Sequence, residues 1–268
     1  MSSLPYELIS LDLDLTFLDE HHQISHKNLA AVRRCLALGA KVIITSGRMY
    51  YTTLSYAHEM GLNTPIIAYN GAFIKREDTD EVLLHERLDV ATAQEIVDFC
   101  EQEHLHLNYY LNDTLYTAKV SKWSDLYSAR TGAEIHPVGD LKNFADQEPT
   151  KTLIIDEPDR IAQLYQQLHP HFAGRAYVTI SNPEYLEFMP PTVNKGKAVA
   201  VVAEYYHIPQ EKVIAFGDAG NDIPALAWAG LGVAMENAKP EAKQVADRIA
   251  PPYNDDGVAV VLEDIFGL

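Results

Sequence analysis

The sequence is poor in basic residues and in cysteine, and it lacks a long apolar run. Its 268 residues include 21 Lys and Arg against 38 Asp and Glu, which gives a formal net charge of −17 at pH 7. A surface of this sign repels nucleic acid and anionic membranes, so neither is expected as a partner. It also repels phosphorylated molecules at long range. Any phosphate-binding site must therefore be locally positive, through a metal, a lysine or backbone N–H groups.

Cys35 and Cys100 are the only two cysteines. They are far apart in the sequence and lie in helix-like stretches, so we expect neither a disulfide framework nor a zinc site. The N-terminal sequence MSSLPYELIS lacks the basic region and the apolar run of a signal peptide. No stretch of about 20 apolar residues, the length that spans a bilayer, is present. We therefore expect a cytoplasmic protein.

Apolar runs alternate with helix-like segments in the first third of the chain, and 47% of all residues are hydrophobic, which is enough for a core. The predicted order is strand, helix, strand, helix, strand, at YELISL, residues 25–39, KVIITSGR, residues 50–60 and PIIAYNGAFI. This order is typical of a parallel sheet with helices on both faces. The third strand has a break at Asn70-Gly71.

The pattern changes in the middle of the chain and then returns. Residues 83–188 contain strands and helices in a mixed order, after which KVIAFGDAGND repeats the pattern of a strand followed by an acidic loop. We therefore predict an α/β fold, in which a doubly wound parallel-sheet core formed by residues 1–82 and 189–268 is interrupted by an inserted mixed α/β domain, residues 83–188.

Acidic and amide residues follow two of the predicted core strands. They are Asp12, Asp14, Asp218, Asn221 and Asp222. Ligands bind at the carboxyl ends of the strands in open α/β sheets. Carboxylates placed so close together repel one another unless a cation neutralises them, and oxygen ligands favour Mg²⁺. The alternative interpretations are a solvated loop after the first strand and an ordinary Asp-Gly-Asn turn after the second.

A hydroxyl and a lysine supply groups that could bind an anion. Ser46 and Gly47 lie between a strand and a helix, where a hydroxyl and helix-terminal N–H groups suit phosphate, although Ser could also be a plain N-cap. Lys195 begins a helix and can act as a point charge, whereas Lys197 is expected to point outward. Phosphate-ester cleavage needs a nucleophile, neutralisation of the phosphoryl oxygens and a proton for the leaving group. Each of these roles has a candidate residue.

Taken in order, four motifs resemble those of the haloacid dehalogenase (HAD) superfamily of phosphohydrolases: DxDxT, a hydroxyl before Gly-Arg, Lys-Gly before a helix, and GDxxND. The Asn70-Gly71-Ala72 turn, the long insert, and the GVAM and DGV segments near the C-terminus are similar to the Cof-type sugar-phosphatase branch. The resemblance covers essentially the whole chain and is weakest in the insert. It implies a Mg²⁺-dependent phosphatase that hydrolyses small phosphorylated metabolites, especially sugar phosphates, through an aspartyl-phosphate intermediate.

The resemblance also assigns roles to the acidic residues. It implies that Asp12 is the nucleophile and a Mg²⁺ ligand. Asp14 would be the general acid/base and would lend its backbone carbonyl to the metal. Asp218 would bind Mg²⁺ directly, and Asp222 would bind it from close behind, through water.

The remaining roles concern the phosphoryl group and the leaving group. The resemblance implies that Ser46, together with Gly47, binds the transferring phosphoryl group and that Lys195 neutralises it. Asn221 would orient the phosphate or the shell of the metal. The insert would be a cap that closes over the site and selects the leaving group.

One position departs from the family pattern, and two histidine pairs need an interpretation. The Cof-type branch usually has Gly after the second aspartate, where this chain has Leu15. Because Leu restricts the backbone more than Gly does, this departure concerns the shape of the loop. The pairs His21-His22 and His104-x-His106 are expected to be solvated or packed rather than to bind a metal.

Two kinds of alternative function remain open. A phosphomutase would form the same aspartyl-phosphate but return the phosphoryl group to an isomer of the substrate. Two alternatives belong to a different class: a phosphorylatable signalling module resembling a receiver domain, and a metabolite-binding module without turnover. Receiver domains also gather aspartates and a lysine at strand ends. Receiver domains are much shorter and carry no insert of this length.

Overall fold

The computed structural model describes residues 4–144 and 146–268. Its strands are β1 (Leu8–Leu11), β2 (Lys41–Ile44), β3 (Ile66–Ala68), β4 (Phe73–Lys75), β5 (Val82–His85), β6 (His106–Leu111), β7 (Thr114–Thr117), β8 (Ile135–Pro137), β9 (Lys151–Ile155), β10 (Tyr177–Asn182), β11 (Tyr185–Met189), β12 (Val213–Gly217), β13 (Leu231–Met235) and β14 (Arg248–Ala250). Its α-helices are α1 (His26–Leu38), α2 (Tyr50–Met60), α3 (Val90–Gln102), α4 (Lys122–Thr131), α5 (Pro158–His171), α6 (Lys195–Tyr205), α7 (Ile223–Trp228), α8 (Pro240–Val245) and α9 (Gly257–Phe266). Among the described helices, none has the length and apolar composition needed to cross a membrane.

The first compact unit comprises Met1–Leu84 and Asn194–Leu268, and it contains a parallel sheet in the order β14-β13-β12-β1-β2. The central pairing joins the two ends of the chain, because β1 pairs in parallel with both β12 and β2. All residues of β1 and β12 are buried, as expected for the central strands of a parallel sheet. The predicted α/β fold with a parallel-sheet core is confirmed.

The third predicted strand of this sheet is instead a hairpin, so that prediction was wrong. β3 pairs with β4 in antiparallel fashion, and β5 completes a separate three-stranded sheet. A single parallel bridge between Thr45 and Ile67 links β3 to the end of β2. The chain reverses because Tyr69 and Asn70 have φ values of 50° and 57°, in the left-handed region that forms tight turns.

The first helix of this unit begins and ends as the sequence indicates. The Ser25 hydroxyl accepts a hydrogen bond from the backbone N–H of Asn28, and Gly39 ends α1 with a φ of 99°. The buried Oδ1 of Asn28 accepts the backbone N–H of Ala259 in the first turn of α9, at 2.9 Å. Because a buried amide is costly without a partner, this bond fixes α1 against the C-terminal helix.

The second compact unit, His85–Val193, has a mixed sheet in the order β10-β11-β9-β6-β7-β8. Alternate residues of its strands, such as Leu107, Ile154 and Phe188, pack into one apolar cluster with residues of α3 and α5. The unit boundaries fall at 84/85 and 193/194, where the sequence predicted 82/83 and 188/189. Each predicted limit falls inside a strand, the first in β5 and the second in β11.

Candidate active site

Three carboxylates converge at the carboxyl ends of two adjacent strands. Asp12 follows β1, Asp218 follows β12, and Asp222 directly precedes α7. One carboxylate oxygen from each residue lies within 4.8 Å of the others, and all three residues are buried. Because β1 and β12 are parallel neighbours, their ends bring together residues that are about 200 positions apart in sequence.

The loop after β12 folds Asp222 back against the end of its own strand. Oδ2 of Asp222 accepts the backbone N–H groups of Asp218 at 3.1 Å and Ala219 at 3.0 Å. Gly217 permits this approach, because a Cβ at that position would lie only 2.4 Å from the Cβ of Asp222. The backbone of the acidic loop thus fixes one oxygen of Asp222.

Lys195 supplies the positive charge of the cluster from the start of α6. Its Nζ donates hydrogen bonds to Oδ1 of Asp12 at 2.6 Å and to Oδ1 of Asp222 at 2.5 Å, and the residue is only 1% exposed. Asn194 caps the helix by accepting the backbone N–H of Lys197 at 2.7 Å. Three carboxylates with one ammonium have a formal charge of −2 (−3 + 1).

Burial and this excess of negative charge shift the pKa values of Asp12, Asp218 and Lys195. Burial, followed by the charge of Asp222, raises the pKa of Asp12 well above its usual range, although Lys195 opposes the change. The same two causes raise the pKa of Asp218 to about 7. Burial lowers the pKa of Lys195, but the charges of Asp12 and Asp222 outweigh it and raise the pKa overall. A buried group of carboxylate oxygens with too little positive charge fits a divalent cation.

Ser46 and Gly47 lie at the end of β2, next to β1. The backbone N–H of Ser46 donates to the carbonyl of Ile67 at 2.8 Å, and the Ser46 hydroxyl accepts the backbone N–H of Arg48 at 3.1 Å. The N-cap of α2 is Met49, which makes no side-chain capping bond. The alternative interpretation of Ser46 as the N-cap of that helix was therefore wrong.

Asn70, which was not predicted as a site residue, connects two of the loops. Its Oδ1 accepts Nδ2 of Asn221 at 2.8 Å, and its backbone N–H donates to the Ser46 carbonyl at 2.9 Å. A Cβ on Gly47 would lie 2.9 Å from the same Oδ1, so Gly47 gives this amide its room. The signal in the sequence is the Asn-Gly pair after a strand, because Asn tolerates the left-handed conformation.

The carboxylate of Asp14 lies outside the group of three and pairs with Arg48. Nε of Arg48 is 2.9 Å from Oδ2 of Asp14, Nη2 is 2.5 Å from Oδ1, and Nδ1 of His22 is 3.3 Å from Oδ1. Burial raises the pKa of Asp14, but the hydrogen bonds from Arg48 and His22 outweigh it and hold the pKa well below its usual range. Arg48 and His22 were not assigned to the site from the sequence. The ionised form of Asp14 is the form that accepts a proton.

The next two residues of this loop carry conformational and hydrogen-bonding constraints. Leu15 has a φ of 57°, in the region that favours glycine, and its carbonyl accepts Nδ2 of Asn237 at 2.9 Å. Thr16 is fully buried, and its hydroxyl has no hydrogen-bond partner among the described residues. At the position where glycine was expected, Leu15 therefore adopts a backbone conformation that favours glycine.

The architecture and the site can be compared with known proteins. The family described as haloacid dehalogenase-like hydrolase matches residues 9–262. The chain belongs to this family. It is 31% identical over 280 aligned positions, covering 100% of both chains, to a Bacillus subtilis protein named 5-amino-6-(5-phospho-D-ribitylamino)uracil phosphatase YitU.

Solved structures of HAD-like proteins have the same fold. A haloacid dehalogenase-like hydrolase from Bacteroides thetaiotaomicron gives a TM-score of 0.90 at 28% identity, covering 97% of this chain and 100% of that chain. The Thermotoga maritima protein TM0651 gives a TM-score of 0.88 at 32% identity, covering 97% of each chain. The predicted resemblance to the HAD superfamily is confirmed, as is the prediction of an enzyme: this HAD-family chain is a phosphatase.

Proposed function

We propose that this HAD-family phosphatase is Mg²⁺-dependent and hydrolyses small phosphorylated metabolites, with sugar phosphates as the main substrate class, through an aspartyl-phosphate on Asp12. The observation that carries the proposal is that Lys195 contacts both Asp12 and Asp222. Asp218 lies close to them, where the adjacent strands β1 and β12 end. The name of the Bacillus subtilis relative describes a phosphatase for a phosphoribitylamino compound, which is a small phosphorylated metabolite.

The metal would be held by Asp12, Asp218, Asp222 and the backbone carbonyl of Asp14. Their oxygen atoms match the preference of Mg²⁺, and the −2 formal charge of the group offers the compensation that a divalent cation needs. When bound, Mg²⁺ would supply positive charge that keeps the carboxylates ionised and draws charge from the phosphoryl oxygens.

Asp12 would carry out the covalent step. One of its oxygens, Oδ1, contacts Lys195, and attack on phosphorus by Oδ2 would form a new P–O bond while the bond to the substrate oxygen breaks. Asp14, which Arg48 and His22 hold in its ionised form, would first take up a proton from solvent and would then donate it to the departing oxygen in this step. In the second step, Asp14 would accept a proton from the water that attacks the aspartyl-phosphate, releasing inorganic phosphate and restoring Asp12.

The phosphoryl group would be bound by the residues around this nucleophile. Ser46 would donate its hydroxyl proton, Gly47 would let the backbone approach closely, and Lys195 would neutralise the negative oxygens. Asn221 would orient the phosphate through its amide, which Asn70 holds at 2.8 Å. All of these residues lie in loops at strand ends or at the start of a helix.

We assign the catalytic core to the compact unit formed by Met1–Leu84 and Asn194–Leu268, and the inserted cap domain to the unit His85–Val193. These units replace the limits 82/83 and 188/189 that the sequence predicted. The cap would choose among leaving groups, and the core would handle the phosphoryl group. The expected partner is a small phosphorylated metabolite. The acidic surface argues against nucleic acid and membranes as partners. A cytoplasmic location stays a prediction.

The test is release of inorganic phosphate from a panel of sugar phosphates, nucleotides and small acyl phosphates, with Mg²⁺ and with a chelator. We expect release that requires Mg²⁺ and that is abolished in a folded Asp12→Asn variant. The matched control is Asp125→Asn, which makes the same chemical change at an exposed residue of α4. Release that survives chelation would contradict the metal role, activity in Asp12→Asn would contradict the nucleophile, and an isomer without free phosphate would indicate a phosphomutase.

A further inference from the structure

The carboxylate of Asp14 depends on Arg48 for its position. The Asp14 side chain is 44% exposed, although its neighbours Leu13 and Thr16 are fully buried, so burial alone does not fix the orientation of the carboxylate. The guanidinium of Arg48 instead contacts both carboxylate oxygens, Oδ2 through Nε at 2.9 Å and Oδ1 through Nη2 at 2.5 Å. A two-point contact of this kind defines the orientation of a carboxylate as well as its location.

Arg48 is itself held from several sides. Its side chain is only 11% exposed, its Nη1 is 3.3 Å from the hydroxyl of Tyr56, and its Nη2 is 2.9 Å from Nδ1 of His22. The guanidinium carbon lies 5.4 Å from the centre of the Tyr56 ring, close enough for a cation–π contact. Its backbone N–H donates to the Ser46 hydroxyl. One residue therefore joins the Ser46 loop to the loop that carries Asp14.

We propose that Arg48 is a positioning residue that holds the Asp14 carboxylate in the orientation needed for proton transfer to and from the substrate oxygens. This inference rests on the proposed function, in which Asp14 is the general acid/base. The proton moves between Asp14 and the leaving oxygen, and later between water and Asp14, while Arg48 keeps its own protons throughout. Contacts with Asp14, His22 and Tyr56 use four of the five N–H donors of the guanidinium, which leaves only one N–H of Nη1 for a direct contact with the phosphoryl group.

This role predicts an effect that depends on the leaving group. An alkyl phosphate, such as a sugar phosphate, departs as a basic alkoxide and needs a proton from a well-placed acid. Para-nitrophenyl phosphate departs as a stabilised phenolate and needs little help. If Arg48 acts through Asp14, its loss should slow the first kind of substrate far more than the second. If Arg48 bound the phosphoryl group directly, both kinds would slow equally.

The experiment compares kcat for an alkyl phosphate and for para-nitrophenyl phosphate in wild type, Arg48→Met, Asp14→Asn and the double variant. For Arg48→Met we expect kcat on the alkyl phosphate to fall by about 10- to 100-fold, with a much smaller fall on para-nitrophenyl phosphate and little change in KM. The double variant should be no slower than Asp14→Asn, because a residue that acts only through Asp14 has no further effect once Asp14 cannot transfer a proton. Arg48→Lys should recover part of the rate at most, since an ammonium cannot make the two-point contact.

Arg76 offers a matched control in the same compact unit. Its guanidinium also makes a two-point contact with an aspartate, Asp78, and lies near the hydroxyls of Tyr205 and Tyr206. Arg76→Met should therefore reproduce the loss of a partly buried arginine while leaving the ratio of the two rates unchanged. Equal losses on both substrates in Arg48→Met, a faster alkyl reaction, or a further loss in the Asp14→Asn background would each overturn the proposal.

A crystal structure of Arg48→Met separates this inference from the proposed function, because it needs no turnover. We expect the Asp14 carboxylate to leave its position or to occupy several positions, while Asp12 and Lys195 stay in place. An Asp14 side chain unchanged in a single orientation would overturn the positioning role even if the enzyme were active. Failure of wild type to release phosphate from any substrate would instead overturn the proposed function.

Discussion

The ammonium group of Lys195 donates a 2.6 Å hydrogen bond to the carboxylate of Asp12, which lies 183 residues earlier in the chain. Both residues are buried, and the same ammonium group reaches Asp222 at 2.5 Å. This contact joins the start of α6 to the end of β1 and to the acidic loop after β12. It is therefore an element of the fold as well as of the proposed chemistry, and the two roles can be separated by experiment.

Replacing Lys195 with Met should destabilise the metal-free protein strongly and abolish phosphate release. Removal of one partner from a buried ion pair typically costs about 3–5 kcal/mol, because the remaining charge is left buried without compensation. Added Mg²⁺ should restore part of the lost stability, since it supplies positive charge to the same carboxylates. The free energy of unfolding in urea, with and without Mg²⁺, measures both effects.

The control for this variant is Lys197→Met, two positions along the same helix. Lys197 is exposed, so its loss should change the free energy of unfolding by no more than about 0.5 kcal/mol and should leave turnover intact. A Lys195→Met protein as stable as Lys197→Met, in the absence of metal, would show that the buried contact contributes little to the fold.

The stability of the metal-free protein should fall as the pH rises from about 4 to about 7. The pKa of Asp218 is about 3.8 in the unfolded chain and is raised to about 7 in the fold by burial and by the charge of Asp222. Between these values the native state binds more protons than the unfolded state, so stability is present at the low end and is lost as the carboxyl ionises. Unfolding in a chelator at about pH 5 and about pH 8 measures this slope.

Mg²⁺ should oppose this loss of stability, and its stabilising effect should be larger at the higher pH. Protons and the metal compete for the same carboxylates, so the increase in melting temperature on adding Mg²⁺ should be larger at about pH 8 than at about pH 5. Asp218→Asn provides the control, because an amide at this position does not titrate and the slope in chelator should become shallower. A slope that is unchanged in Asp218→Asn would assign the pH dependence to other groups.

The sequence predicted the parts of the site that lie at strand ends, because topology alone places them together. The carboxyl ends of parallel strands lie along one edge of the sheet, and the adjacent pairing of β1 with β12 brings the aspartates that follow them together. The partners of Asp14 could not be read in the same way. The contacts with His22 and Arg48 depend on the path of two loops, and no periodic pattern in the sequence encodes such a path.

The errors in secondary structure also have physical causes. An apolar hairpin and a single buried strand have the same composition, so β3 and β4 were read as one strand with a break. Helix α4 has almost no apolar face that a sequence pattern could reveal, because only Ser124 and Tyr127 of its residues are buried. The short helices α7 and α8 have six residues each, too few to show a helical period.

In the second unit, Lys151→Met should destabilise the sheet, and a second substitution should repair it. Nζ of Lys151 lies 3.2 Å from Oε1 of Glu187, both residues are buried, and Oε2 of Glu187 has no hydrogen-bond partner among the described residues. Loss of the lysine should cost about 3–5 kcal/mol, whereas the apolar pair Lys151→Met with Glu187→Met should regain most of it. Hydrogen exchange of the β9 and β11 amides reports the stability of this unit directly.

The exposed pair of Lys122 and Glu157 gives the comparison in the same unit. Their side chains are 68% and 65% exposed at a separation of 2.8 Å. Lys122→Met should change the stability by no more than about 1 kcal/mol, because solvent screens an exposed pair. A double variant at 151 and 187 as unstable as Lys151→Met alone would show that the ion pair has a favourable role that apolar packing cannot replace.

At position 15, the protein with glycine should be at least as stable as the protein with alanine, which is unusual. The φ of 57° at Leu15 strains any residue that has a Cβ, at a cost of about 1–2 kcal/mol, and glycine removes this strain. The comparison of Leu15→Gly with Leu15→Ala isolates the backbone effect, because both variants lose the partly exposed side chain. After allowance for the greater freedom of glycine in the unfolded chain, about 0.4–1 kcal/mol, Leu15→Gly should still equal or exceed Leu15→Ala in stability.

The sign should reverse at Leu38, an exposed residue in the last turn of α1. There glycine should be less stable than alanine by about 1 kcal/mol, as in ordinary helices. Phosphate release should survive in Leu15→Gly, because the hydrogen bond from Asn237 is made to the backbone carbonyl of residue 15 and not to its side chain. Urea unfolding of the four variants, with phosphate release measured alongside, tests both statements. Alanine more stable than glycine at both positions would mean that the loop relaxes to a negative φ, and the backbone next to Asp14 would then lack this strain.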